Sequence, residues 1–136
     1  MIIPLVKGLL LTLSRFFSKP ITIQYPEEKR TPYPTWRGIH YFMTNEKGET
    51  ICVACGLCVA YCPSQCITLE IGEREDGSRY PITYEIDALR CIYCGFCQEV
   101  CPVNAIRMST NYEYVHYDKA NFILTKEKLI SLKEKV

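Results

Sequence analysis

Eight of the nine cysteines in this 136-residue chain fall into two short runs. The first reads Cys52-Val-Ala-Cys55-Gly-Leu-Cys58-Val-Ala-Tyr-Cys62-Pro63, the second Cys91-Ile-Tyr-Cys94-Gly-Phe-Cys97-Gln-Glu-Val-Cys101-Pro102. Both follow C-x2-C-x2-C-x3-C-P, a spacing at which thiolates hold iron–sulfur clusters. Cysteines at i, i+3 and i+6 curl one loop around a compact inorganic core. Gly56 and Gly95 let the backbone turn through positive φ close to that core. The chemistry is one-electron transfer carried by a cofactor. No nucleophile–base set and no nucleotide-binding loop accompanies it, so the chain has no catalytic site of its own.

The fourth cysteine of each run has a separate role. It lies one helical turn beyond the third, roughly 6 Å along the axis, and the proline behind it ends that turn. In two-cluster ferredoxins this cysteine serves the other cluster. One cluster is therefore expected on Cys52, Cys55, Cys58 and Cys101, and the other on Cys91, Cys94, Cys97 and Cys62. Disulfides suit small exported chains, and no export signal is recognisable here. Structural zinc takes paired CxxC arms separated by a longer loop. A third cysteine in the same short loop, twice, favours two [4Fe–4S] clusters over either.

The elements that position these cysteines read as an α+β, ferredoxin-like domain over residues 51–108. An offset of 39 residues superposes Cys52 on Cys91, Gly56 on Gly95, Cys62 on Cys101 and Ile67 on Ile106. That duplication implies pseudo-twofold symmetry. Ile67 to Ile71 and Ile82 to Ile86 alternate apolar and polar residues around the turn signal Asp76-Gly77, which predicts a hairpin. The other flanks are more varied. Residues 1–19 place Ile2, Val6, Leu9, Leu13 and Phe16 at helical spacing, with Lys7 and Arg15 opposite. This is an amphipathic helix suited to a membrane interface and too short and interrupted to span a bilayer. Residues 20–50 carry Pro20, Pro26, Pro32 and Pro34 and read as an extended arm lying along another protein, with a short strand at Ile21–Tyr25. Residues 109–136 read as an extension ending in a charged helix capped by Thr125, its lysines on a solvated face.

Composition bounds the rest. A net charge of +1 carries no nucleic-acid footprint. Nine cysteines without an export signal imply a reducing compartment and thiols held by metal. The ninth, Cys66, aligns with Ala105 and reads as a small buried hydrophobe near a cluster. His40 and His116 read as hydrogen-bonded structural groups rather than proton carriers. Apolar neighbours of the cysteines (Ile51, Val53, Leu57, Ile92 and Phe96) are expected to oppose reduction, while backbone N–H groups favour it.

The flanks narrow the resemblance. The apolar N-terminal helix, Tyr25-Pro26-Glu27, Arg37-Gly38-Ile39-His40, Tyr84-Glu-Ile-Asp87 before Arg90-Cys91, Asn111-Tyr-Glu-Tyr114 and Leu124-Thr-Lys-Glu-Lys-Leu129 resemble subunit I of respiratory complex I, the bacterial NADH-quinone oxidoreductase. The likeness covers almost the whole chain. It departs at Thr50-Ile51, where a basic residue is expected, and in its short tail. The resemblance implies two [4Fe–4S] clusters near the end of the electron wire of the peripheral arm. It also implies electron delivery to a quinone-reducing cluster in a neighbouring subunit. Partners in both the peripheral and membrane arms follow, as does a peripheral position on the cytoplasmic side of the cell membrane. A freely diffusing two-cluster ferredoxin does not need the apolar helix and aromatic arm. The ferredoxin-like subunit of a complex-I-related membrane hydrogenase is the remaining alternative.

Overall fold

A computed structural model of the chain describes residues 2–135. They fall into two compact units divided between Thr31 and Pro32. The first unit is built on α1 (Ile2–Phe16). Pro4 sits in its first turn, where a missing N–H costs nothing. None of its residues is buried, and Ile2, Ile3, Leu5 and Leu9 are each at least two-thirds exposed. No helix among the described residues is long and apolar enough to cross a membrane. Ile21–Tyr25 is not a strand. No neighbouring strand pairs with it among the described residues, and Tyr25 N–H donates locally to the Ile23 carbonyl at 3.2 Å.

The second unit holds two small sheets. β1 (His40–Phe42) pairs antiparallel with β4 (Ile106–Met108). β2 (Ile67–Glu73) and β3 (Arg79–Asp87) form the hairpin expected from the alternation, and β5 (Ile123–Thr125) adds antiparallel to β3. Gly77, at φ +77°, makes the hairpin turn. The single helical turn expected before each fourth cysteine is present as the four-residue helices α2 (Leu57–Ala60) and α3 (Phe96–Glu99). A 3-10 turn at Lys119–Phe122, the helix α4 (Lys126–Ser131) and a closing 3-10 turn, Leu132–Lys135, complete the unit.

This packing divides the chain elsewhere than at residues 50 and 108. Part of the expected arm lies in the core: Ile39, His40 and Phe42 are each at most 3% exposed. Gly38 fastens this segment. Its N–H donates to the Ser109 carbonyl at 2.8 Å, and a side chain there would collide with the Ser109 and Asn111 carbonyls. The C-terminal segment is equally built in. Leu124 and Leu129 are fully buried and Leu132 nearly so, packed with Ile86, Ile106 and Phe42 in one core. The physical reason is size. Two cofactor cavities leave little apolar surface between them, so the flanks must supply the rest of the core.

Thr125 does cap α4, its side chain accepting from Lys128 N–H. Three lysines of this C-terminal segment, however, are tied down rather than solvated. Lys126 Nζ donates to the carbonyls of Pro81 and Ile82, Lys128 Nζ to that of Ile123, and Lys133 Nζ to Thr44 Oγ1 at 2.8 Å. Lys126 and Lys128 satisfy carbonyls of β3 and β5, and Lys133 reaches the Thr44 hydroxyl, tying the last turns to the rest of the unit.

Candidate metal centres

Each cysteine loop is shaped by left-handed backbone. Ala54 and Tyr93 lie at φ 48° and 53°, Gly56 and Gly95 at 77° and 82°, Gln65 and Asn104 at 48° and 51°. Each pair is separated by the 39 residues of the sequence offset. Left-handed conformations are disfavoured for Ala and Tyr, so their recurrence marks a shape the site requires. The consequence is local: main-chain N–H groups point inward at sulfur. Ala54 N–H donates to Cys52 Sγ at 3.4 Å, Tyr93 N–H to Cys91 Sγ at 3.3 Å and Ala105 N–H to Cys101 Sγ at 3.2 Å.

The cysteines assemble around two cavities. Cys52, Cys55, Cys58 and Cys101 line the first, closed by Phe42, Leu69, Tyr84 and Ile106. Cys62, Cys91, Cys94 and Cys97 line the second, closed by His40, Ile67 and Ile86. The crossing of Cys62 and Cys101 comes from α2 and α3, which pack together and end by delivering each fourth cysteine beneath the other loop. Among the described residues, no three histidine, cysteine or carboxylate side chains converge as they do on one metal ion. Four sulfurs lining one cavity suit a cubane, in which each iron takes one thiolate.

Electrostatics agree with a cationic occupant. Burial pushes the Cys52, Cys58 and Cys91 thiols above their ordinary range and Cys97 up to about 12. Such thiols release their protons only to a metal core that repays the charge. At Cys62 burial acts upward, but hydrogen bonds from the Cys66 and Ser64 main chain and from their side chains outweigh it and hold the thiol low.

Three functional neighbours went unrecognised in the sequence. Tyr84, 1% exposed, donates its hydroxyl to Cys58 Sγ at 3.5 Å. Arg37 reaches the loop of the second cavity, donating to the Cys94 carbonyl and pairing with Glu99 at 3.1 Å. The third is His40, read as a hydrogen-bonded structural group, whose partner turns out to be a cysteine. Its Nε2 lies 3.9 Å from Cys91 Sγ, its Nδ1 has no partner, and it lines the second cavity. The Arg37-Gly-Ile-His40 stretch was the available signal, but nothing in it points 50 residues ahead. Cys66 is buried in that same cavity, 3.5 Å from Cys62 Sγ. His116 instead stacks edge-on with Tyr114 and Phe122 at the surface. Of the apolar residues expected to oppose reduction, Val53 lines the first cavity, while Ile92 and Phe96 lie toward the outside, 63% and 47% exposed. Insulation comes from the second sheet and from Phe42.

Fold and site together define a two-cluster, ferredoxin-like electron-transfer protein. The 4Fe-4S dicluster domain family matches residues 51–119, and as such a domain the chain takes two [4Fe–4S] clusters. The chain is 45% identical over 96% of its length to NADH-quinone oxidoreductase subunit I 2 of Geobacter metallireducens, covering 98% of that protein. It is 48% identical to subunit I 1 of Geobacter sulfurreducens, over 98% of this chain and all of the relative. With subunit I of Francisella philomiragia it shares 46% identity over 96% of this chain and 81% of the relative. The chain belongs to the subunit I family of the NADH-quinone oxidoreductases. A chain in the structure of the membrane-bound sulfane sulfur reductase, an archaeal respiratory membrane complex, aligns with a TM-score of 0.55 at 29% identity. The alignment covers 80% of this chain and 55% of that one.

Proposed function

We propose that this chain is a fixed electron relay in a membrane-bound NADH-quinone oxidoreductase, passing electrons through two clusters toward the quinone-reducing cluster of a neighbouring subunit. The observation that carries the reading is the sorting of eight cysteines into two four-sulfur cavities by the crossing of Cys62 and Cys101. Cys52, Cys55, Cys58 and Cys101 would hold one cluster, and Cys91, Cys94, Cys97 and Cys62 the other, in a pseudo-twofold arrangement. When bound, each cluster supplies a site that accepts and releases one electron. The chain does the rest. The four thiolates of each set fix position, and the inward amides of Ala54, Tyr93 and Ala105 stabilise negative charge on sulfur. Phe42, Tyr84, Ile67 and Ile86 exclude water from the inner walls.

The partners follow from the family and from the exposed surfaces. α1 is read as an amphipathic helix lying in the membrane interface on the cytoplasmic side. There it would dock the relay against membrane-arm subunits, while the exposed rims at Val53, Leu57, Ile92 and Phe96 meet peripheral-arm neighbours. The likeness to a sulfane sulfur reductase chain supports a second reading, a related respiratory membrane complex with another terminal reaction.

Deletion of residues 2–16 tests the docking, with the chain purified from membranes. Cluster content is expected to stay whole, because every ligand lies in the unit after Pro32, while attachment and quinone reduction fall. Full attachment and activity in the truncated chain overturns the docking role. The subunits that co-purify with the intact chain decide between the two parent complexes.

A further inference from the structure

The two cysteine sets are chemically alike, so any difference in how firmly their clusters hold an electron must come from the other groups that face them. The internal offset makes the comparison position by position. Most main-chain donors repeat: the amides of Ala54 and Tyr93 serve Cys52 and Cys91, and those of Ala105 and Cys66 serve Cys101 and Cys62, while the Ser64 amide adds a further donor at Cys62. The repeated donors contribute alike at the two sites. The side chains do not repeat. At the wall beyond the fourth cysteine, the first cavity presents Val103 and Ala105, and the second presents Ser64 and Cys66. β1 sends Phe42 to the first cavity and His40, two residues earlier on the same face, to the second. β3 does the reverse, with Tyr84 in the first and Ile86 in the second.

The polar groups of the second cavity all address ligand sulfur. Ser64 Oγ lies 3.6 Å and Cys66 Sγ 3.5 Å from Cys62 Sγ. His40 Nε2 lies 3.9 Å from Cys91 Sγ. The His40 ring is 1% exposed. Its Nδ1 has no partner among the described residues, and Nε2 is the ring nitrogen that faces the Cys91 sulfur. Against these three the first cavity sets one hydroxyl, that of Tyr84 on Cys58. Reduction adds negative charge to a cluster and its sulfurs, so hydrogen bonds to sulfur stabilise the reduced form more than the oxidised one.

We infer that His40, Ser64 and Cys66 are tuning residues that raise the reduction potential of the cluster on Cys62, Cys91, Cys94 and Cys97 above that of its partner. Within this chain the electron then settles on the second cluster. One cluster is oxidised by one electron as the other is reduced, and no proton or further reactant is needed. The inference rests on the ligand sets proposed above.

The test exchanges repeat equivalents, in the full chain within its membrane complex, and reads midpoint potentials by electron paramagnetic resonance. The variant Ser64→Val with Cys66→Ala gives the second cavity the wall of the first. The reduced fraction is expected to move by about tenfold toward the first cluster, about 59 mV for a one-electron couple. The potential of the first cluster should not change. The reciprocal Val103→Ser with Ala105→Cys should raise the first cluster alone. His40→Phe should lower the second cluster, and His40→Gln, which keeps a donor, should restore part of the shift. Both clusters fully loaded with both potentials unmoved, or moved equally, overturns the inference. So does loss of one cluster's iron in the Ser64/Cys66 variant, which would make Cys66 a ligand. Cys91→Ser identifies the second cluster's signal. If Cys91→Ser alters the signal of the set that includes Cys101, the ligand assignment fails rather than the donors.

Discussion

Leu129→Ala isolates the claim that the C-terminal segment belongs to the cluster-bearing core. Leu129 is 0% exposed in α4 and packs in the core with Phe42, Ile106 and Leu124. Truncating a leucine so enclosed removes its transfer free energy and leaves a cavity, about 2–5 kcal/mol together. A domain of this size is stable by only about 5–15 kcal/mol. The loss is thus a large share of the whole, and it corresponds to a fall of roughly 10–30 °C in the thermal midpoint. The route to the clusters is short. Phe42 closes the first cavity and sits edge-on to Tyr84 at 4.7 Å, so loosening beneath it opens the cluster wall to water. The assay follows cluster absorbance of the full, loaded chain during thermal and urea unfolding, with iron counted per chain beforehand. Val115→Ala, at a position 84% exposed, is the control and should leave the midpoint unchanged. A Leu129→Ala chain that matches wild type in midpoint and iron content refutes the reasoning and makes residues 109–136 an appendage.

Two further outcomes follow from the same geometry. Cys101→Ala should remove the cluster held with Cys52, Cys55 and Cys58 and leave the other, halving iron and sulfide; selective loss at the Cys91 loop instead rejects the crossed assignment. Gly38→Ala should destabilise the chain by about 1–3 kcal/mol, because its new methyl meets the Ser109 and Asn111 carbonyls and displaces β1. An unchanged urea midpoint would show that this clamp does not hold the strand.

Much of this protein was legible in local pattern. Cysteine spacing identified the cofactor because ligand geometry around a cubane is set by a few covalent steps along one loop. The hairpin was legible because Ile67 to Ile71 and Ile82 to Ile86 alternate about Asp76-Gly77, and strand periodicity is local. The same rule misread Ile21–Tyr25, since alternation makes a strand only where a partner supplies hydrogen bonds. The lysines of α4 were read as solvated because sequence does not say which carbonyls end nearby.

By itself, then, the sequence determined the cofactor class, the duplicated loops and the backbone turns at Gly56 and Gly95, all of which depend on contacts within a dozen residues. Only the tertiary structure decided what surrounds the clusters. His40 meets Cys91 across 51 positions and Tyr84 meets Cys58 across 26. Leu124 and Leu129 close a core that begins at Ile39. These are products of strand pairing and of a shortage of apolar surface in a small domain with two cavities. That shortage makes the chain recruit its own flanks as walls, and no local pattern records which residues will be recruited.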